Sequence, residues 1–235
     1  MKIKNLLPAL AASAALAASA PAAAVLIEVN IDDFNVGSHM ASDNTVGNGG
    51  VTSALSSLDT THVIGGTRTL VDNLTAGIIP YQSSTRVDAT VGQLIINNGV
   101  GEVTGSSVSW ALPANLLPTT GSLSSFQFHM ALISKDNNAV SVSVLLNGST
   151  IGTSSLPTAQ VTTLQDLYFS STIASFNAGG TLQLVFSGNA GWDASFDTFG
   201  FQYDYTPPPP VTVPVPATLA LFGIGAVALH RRRRC

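Results

Sequence analysis

Apolar and polar residues alternate with a period of two through much of the chain between residues 25 and 205. The clearest run covers residues 139–146, Ala-Val-Ser-Val-Ser-Val-Leu-Leu, and an Asn147-Gly148 pair follows it. Successive side chains of a β-strand point to opposite faces of the sheet, and Asn-Gly is the favoured two-residue hairpin turn. The pattern therefore predicts a strand here, with a hairpin that leads into a second strand from Ser149.

The same alternation recurs along the chain at intervals typical of short strands joined by turns. It covers residues 107–112, 125–130 and 194–203, a strand is also expected at residues 181–186 after a Gly-Gly turn, and other candidate strands are residues 25–31, 67–71, 86–90, 93–96, 101–104 and 164–171. No stretch between these segments shows the i, i+3, i+4 spacing of an amphipathic helix. The expected fold class is therefore all-β, with one domain built as a single β-sandwich or jelly roll. Within it, residues 37–57 are rich in Gly, Asn and Ser and predict a long polar loop.

Residues 1–24 have the features of an export signal. Two lysines precede an apolar stretch over residues 6–18, and Ala22 and Ala24 form an A-x-A cleavage site. This order is typical of a cleavable Sec-type signal helix. The expected partners at this end are therefore the Sec translocon and signal peptidase.

The last 30 residues form a second targeting segment. A proline-rich stalk at residues 206–212 favours extended polyproline II. An apolar run over about residues 213–229 predicts a single transmembrane helix that spans with little tilt. The run is closed by four basic residues, Arg231, Arg232, Arg233 and Arg234. Because such residues resist translocation, we expect this end in the cytoplasm and the preceding domain on the other side of the membrane.

The tail over residues 213–235 resembles the PEP-CTERM family of bacterial sorting signals. Its motif reads Val213-Pro214-Val215-Pro216, with valine where the family name has glutamate, and is similar to the Val-Pro-Leu-Pro-Ala variant. The resemblance implies processing by an exosortase, a membrane protease-transpeptidase, after a transient stay in the inner membrane. It also implies a final place at the cell surface or in the extracellular matrix of a Gram-negative bacterium, where such proteins are linked to exopolysaccharide and biofilm.

The net charge of the body, residues 25–205, limits the classes of partner that it can bind. Only three of the nine basic residues of the chain lie in it, together with all thirteen acidic residues, so its net charge is −10. A nucleic-acid surface needs a basic stripe, and an acidic polysaccharide would be repelled unless a cation bridged it. A divalent cation or a neutral polysaccharide is therefore the expected partner, and a nucleic acid is not. The one cysteine, Cys235, leaves the body without a disulfide.

Aspartates near the two ends of the body form a candidate metal site. Asp32 and Asp33 end the first strand-like segment, and Asp193 and Asp197 flank the start of the last one. First and last strands are neighbours in many jelly rolls, and hard carboxylate oxygens suit calcium. A structural calcium is therefore a candidate cofactor, and the pairing also resembles the galactose-binding-like jelly rolls of carbohydrate-binding modules. The alternative is that these aspartates accept hydrogen bonds in turns at strand ends.

Aromatic residues offer a candidate surface for a glycan. Trp192 lies in a Gly-Asn-Ala-Gly-Trp-Asp segment typical of a loop, which makes it the best candidate for an exposed ring that stacks on a sugar. The alternative is that it packs in the core or at its rim. Trp110 lies within an alternating strand, and it and the phenylalanines are expected in the core.

Residues that could carry catalysis are sparse. The chain has no Gly-x-Ser-x-Gly element, no His-Glu-x-x-His motif and only two glutamates. We therefore expect a non-catalytic exported protein of the cell surface or matrix, sorted by an exosortase-type system. A carbohydrate-binding module with structural calcium is the first alternative, and a polysaccharide-acting enzyme that uses two aspartates is the second.

Overall fold

The computed structural model describes residues 23–80, 83–171 and 176–209. Most of the expected signal helix and the whole sorting tail lie outside these residues. None of the helices in the described ranges is long and apolar enough to cross a membrane.

Strands account for most of the described residues, and short 3-10 turns at Ile64–Gly66 and Phe176–Ala178 interrupt them. In chain order the strands are β1 Val25–Asp32, β2 His39–Asp43, β3 Val51–Leu55, β4 Arg68–Ala76, β5 Ser83–Asp88, β6 Gln93–Asn97, β7 Val103–Leu112, β8 Ser122–Lys135, β9 Val140–Leu146, β10 Ser149–Ser155, β11 Gln165–Ser170, β12 Gly180–Gly188 and β13 Ala194–Thr206.

These strands form two antiparallel sheets that pack face to face within the compact unit Ala23–Pro207. The seven-stranded sheet has the order β11-β8-β13-β6-β5-β2, with β1 also paired to β13, and the six-stranded sheet has the order β10-β9-β12-β7-β4-β3. The expected all-β sandwich is confirmed. The expected hairpin is confirmed too: Asn147 and Gly148 both have positive φ, as a type I′ turn between β9 and β10 requires.

The last strand, β13, divides one of its edges between two partners. Its first residues, up to Phe196, pair with β6, whereas Phe199 and the residues after it pair with β1. Asp197 and Thr198 lie at the change of partner. The first and last strands are therefore neighbours, as the sequence led us to expect.

Inward-facing aromatic rings fill the space between the sheets. The ring of Trp110, on β7, stacks on Phe199 of β13 with centroids 5.3 Å apart. Phe199 in turn stacks on Phe128 of the neighbouring strand β8 at 5.6 Å. All three side chains are buried, which confirms their expected place in the core.

The prediction of a long polar loop at residues 37–57 is wrong, because this segment contains β2 and β3. The two are edge strands of opposite sheets and are only five residues long. Their sequence is polar because one side of each strand faces solvent, and the polar residue Asp43 is buried on the other side. Its carboxylate accepts backbone N–H groups of Thr45 and Leu74, both at 3.0 Å, which compensates for its burial.

Candidate functional site

The outer face of the seven-stranded sheet carries a concave groove of about 560 Å³. A row of cross-strand neighbours crosses its floor, since Ser134, Ser195, Ile95, Arg86 and Met40 are paired in that order from β8 to β2. Residues that pair directly across a sheet point to the same face. The groove therefore follows a direction across the strands, on the side that the six-stranded sheet leaves uncovered.

The lining of the groove is rich in hydrogen-bonding side chains. Ser84, Gln93 and Asn97 line it beside the floor row. The hydroxyls of Ser134 and Ser195 lie 2.7 Å apart and hydrogen-bond to each other. Such a surface offers both donors and acceptors to a ligand that carries many hydroxyl groups.

Asp193 also lines the groove. Its Oδ1 accepts the backbone N–H of Asn98 at 2.7 Å. Burial raises the pKa of Asp193, the Asn98 hydrogen bond opposes that shift, and the charge of Asp136 adds to it. Asp193 is thus an acceptor that helps to fix the loop after β6.

A stacked pair of rings, of which only Tyr168 is exposed, lies on the same sheet face toward the β11 edge. Tyr168 of β11 pairs with His129 of β8, and their rings stack with centroids 5.0 Å apart. His129 is also within 3.1 Å of Asp166 through Nε2. Tyr168 is 49% exposed, so its outer ring face is available to solvent. The alternation of β11 placed Tyr168 opposite the buried Phe169, and this was the sequence signal for an outward ring.

Trp192 is fully buried, so its expected role as an exposed glycan platform is wrong. Gly191 has a φ of +72°, which turns the loop inward before the indole. The indole ring packs near Phe186 at a centroid distance of 6.3 Å, and the Trp192 carbonyl accepts a hydrogen bond from the Asn98 amide. The core alternative for this residue is the correct one.

Asp32 also points into the interior. Its carboxylate accepts Nε and Nη2 of Arg68, each at 2.6 Å, and Nε1 of Trp110 at 2.7 Å. The backbone N–H of Phe34 supplies a further bond at 2.8 Å. With its oxygens occupied in the core, Asp32 is not available to a metal at the surface.

Asp33 and Asp197, in contrast, are close enough for their charges to interact. Burial and the charge of Asp33 raise the pKa of Asp197. Burial works against ionisation of Asp33, but hydrogen bonds from His62 and Asn35 outweigh it and lower the pKa of Asp33. The His62 Nδ1 lies 2.6 Å from Asp33 Oδ2, and this bond raises the pKa of His62.

The four predicted aspartates therefore do not form one cluster. Asp193 lies four residues before Asp197, roughly 13 Å along an extended chain. Among the residues that the structure describes, no group of three or more His, Cys, Asp or Glu side chains is placed to hold a metal ion. Asp33 and Asp197 are the pair that remains, and calcium binding stays a prediction.

A second pair of acidic residues, which the sequence did not single out, meets in the core. The backbone N–H of Asp43 donates to Asp72 Oδ2 at 3.0 Å, and the hydroxyl of Ser83 donates to the same oxygen at 2.6 Å. Burial is the main cause that raises the pKa of Asp72, and the charge of Asp43 adds to it. This polar network joins β2, β4 and β5, and it serves to hold the two sheets together at that end.

Comparison with solved structures returns sandwich domains of low identity. A CBM4 module is 12% identical over 77% of this chain and 99% of its own, with a TM-score of 0.37. TmCBM61, solved with β-1,4-galactotriose, is 9% identical over 72% and 88% at a TM-score of 0.28. A family 11 carbohydrate-binding module from Clostridium thermocellum is 6% identical over 69% and 94% at 0.29. At these values the similarity assigns no ligand to this chain.

Comparison with families identifies the tail. Residues 212–234 match the PEP-CTERM protein-sorting motif, so the chain carries this sorting signal, as its Val-Pro-Val-Pro motif led us to expect. The motif is that of an exported protein with a C-terminal membrane anchor before processing by an exosortase-type system. No curated protein sequence matches the chain.

Proposed function

We propose that this protein is a non-catalytic, polysaccharide-binding protein of the cell surface or extracellular matrix. Its sorting tail delivers it, and its body binds polysaccharide along the outer groove of the seven-stranded sheet. The observation that carries the proposal is the groove itself, a concave row of polar side chains on a solvent-facing sheet.

The chemistry of the groove suits a saccharide chain. Its serine, glutamine and asparagine side chains can exchange hydrogen bonds with sugar hydroxyls, whereas Met40 and Ile95 offer apolar surface to a ring face. Tyr168 extends the same face with an exposed ring, and aromatic rings are favoured contacts for flat apolar surfaces. Together these groups favour the binding of a polysaccharide chain that lies across the strands.

The sorting motif supports the cellular part of the proposal. Export through the Sec translocon, cleavage after Ala24 and a passage through the inner membrane precede exosortase processing. Release to the surface of a Gram-negative cell would then place the groove in contact with exopolysaccharide and biofilm matrix.

A glycan array tests the proposal with the full-length protein in a detergent that has no sugar headgroup. We expect binding without turnover. Replacing Gln93 and Asn97 by alanine should weaken it several-fold, because each neutral hydrogen bond contributes about 0.5–1.5 kcal/mol. The matched control is Ser141→Ala on the exposed face of the six-stranded sheet. Turnover would instead select an enzyme, and absence of binding to every glycan would overturn the proposal.

A further inference from the structure

The three basic residues of the body have very different surroundings. The side chain of Arg68 has no exposure, and its guanidinium is bound to Asp32 and to the carbonyls of Val36 and Gly37. The side chain of Lys135 also has no exposure, and its Nζ donates to the carbonyl of Asp136 at 2.7 Å. Both of these cations therefore bind partners inside the folded body.

Arg86 is the exception. It is exposed on β5, between Met40 and Ile95 in the floor row of the groove. Within residues 23–80, 83–171 and 176–209, its guanidinium has neither a hydrogen bond nor an ion pair within 4 Å. Its charge contributes only the smallest of the causes that lower the pKa of Asp88, behind the hydrogen bonds from Thr90.

From this placement we infer that the groove recognises an anionic group on its polysaccharide, bound at Arg86. The inference rests on the proposed function and specifies its ligand class, a mostly neutral polymer with sparse oxyanion substituents. The overall charge of the body led us to expect a neutral polysaccharide. That expectation treats the charge as evenly spread, whereas the described Lys and Arg side chains leave one solvent-facing cation, and it lies in the groove.

The chemistry of the guanidinium sets what it would bind. Its planar fork donates two parallel hydrogen bonds to a carboxylate, sulfate or phosphate. Ser84 on the same strand and Gln93 on the neighbouring one can hydrogen-bond to hydroxyls on either side of that group. A densely charged polymer would still be repelled by the thirteen acidic residues, so isolated anionic groups are favoured over a continuous polyanion.

The test uses full-length protein in the same detergent and two matched pairs of probes. They are fully methyl-esterified homogalacturonan, the same polymer sparsely de-esterified, and a neutral galactan with and without sparse sulfate groups. The variants are Arg86→Gln and Arg86→Lys. The control is Gln183→Glu, which shifts the net charge by the same amount on the outer face of the six-stranded sheet.

We expect the sparsely acidic probe to bind about tenfold or more tightly than its neutral parent, the ratio for a charge-assisted hydrogen bond. Arg86→Gln should remove that difference, Arg86→Lys should keep only part of it, and Gln183→Glu should keep all of it. The carboxylate and sulfate arms identify the group that is preferred. Equal binding of acidic and neutral probes, or a preference that survives Arg86→Gln, overturns the inference but leaves the proposed function standing. Failure of every probe, together with an empty glycan array, removes both.

Discussion

The guanidinium of Arg68 donates two hydrogen bonds of 2.6 Å to the carboxylate of Asp32, and neither side chain has any exposure. Asp32 ends β1 in one sheet, and Arg68 begins β4 in the other. The pair therefore joins the two sheets in their shared core, beside the stacked rings of Trp110 and Phe199.

Removing one member of this pair should be strongly destabilising. Arg68→Met leaves a buried carboxylate with only the Trp110 and Phe34 donors, and loss of one partner of a buried ion pair costs about 3–5 kcal/mol. Urea unfolding of residues 23–207, which contain both sheets, measures the effect. The double variant Asp32→Asn, Arg68→Met should recover part of the loss, because no buried charge remains.

Arg86→Met is the control for this prediction. It removes the same functional group from an exposed site, where substitutions change stability by about 0.5 kcal/mol or less. If the double variant were no more stable than Arg68→Met alone, the buried charge would not be the cause of the loss.

Calcium should raise the melting temperature of the body if Asp33 and Asp197 share the ion. A ligand at about 100 times its dissociation constant adds about 2.7 kcal/mol to the free energy of unfolding. For a domain of this size that shifts the melting temperature by roughly 5–11 °C, at ~2–4 °C per kcal/mol. Thermal melts with calcium and with chelator give the comparison.

Asp197→Asn should abolish most of the calcium effect, whereas Asp193→Asn, at the groove, should leave it unchanged. Identical melts of the unaltered protein with calcium and with chelator would remove the metal prediction. Asp33 would then be a hydrogen-bonding turn residue after β1, and Asp197 a polar residue within β13.

His39 should make the fold sensitive to acid. Burial, with a smaller contribution from the charge of Arg68, lowers the pKa of His39 to about 4 from 6.5. Between these values the unfolded chain binds a proton that the folded protein does not, so the free energy of unfolding falls as the pH falls from about 6.5 to about 4. Equilibrium unfolding of His39→Gln across this window should show a shallower loss, since glutamine can keep the bond to Ser53.

His62 provides a control, because its effect on stability should depend on pH in the opposite direction. The bond to Asp33 raises the pKa of His62, so its contribution is present below pH 6.5 and is lost as the pH rises through the folded value. His62→Gln should therefore reduce stability at pH 6 and have less effect at pH 8. An unchanged acid slope in His39→Gln would contradict the assignment to His39.

Intact-mass analysis tests whether the sorting tail is removed. We expect surface material that lacks Arg231–Arg234, because processing of the motif at residues 212–234 separates the body from its cytoplasmic end. Replacing the four arginines by neutral residues should weaken the signal that stops translocation, so that more protein is released into the medium. Mature surface protein that retains the arginines would rule out cleavage but not anchoring.

Periodicity predicted the strands well where one face of the strand is buried and the other is exposed to solvent. The alternation at residues 139–146 corresponds to β9, and that at residues 194–203 corresponds to β13. β2 and β3 were missed because their patterns are short and each includes polar residues. In β2 the buried polar residue is Asp43, whose partners include Asp72 and Leu74 of β4, and a local pattern contains no information about these distant partners.

The candidate site was harder to predict because the direction of a loop side chain depends on its neighbours. Trp192 looked exposed in a glycine-rich segment, but the loop folds back over Phe186. Asp32 and Asp33 are adjacent, yet Asp32 is fully buried and Asp33, just beyond the end of β1, is partly exposed. The sequence could not predict which of them would meet Arg68, and it could not place Arg86 in a groove formed by five strands.

The divided edge of β13 has a consequence for the order of events during export. A chain that crosses a membrane from its N-terminus delivers β1 first and β13 last, yet β13 is the strand that holds β1, β6 and β8 together. The seven-stranded sheet therefore cannot close until nearly the whole body has crossed, just as the proline-rich stalk arrives. Late closure would keep the chain unfolded during its passage. If the four arginines then stop translocation as expected, the completed sandwich would already lie on the far side of the membrane.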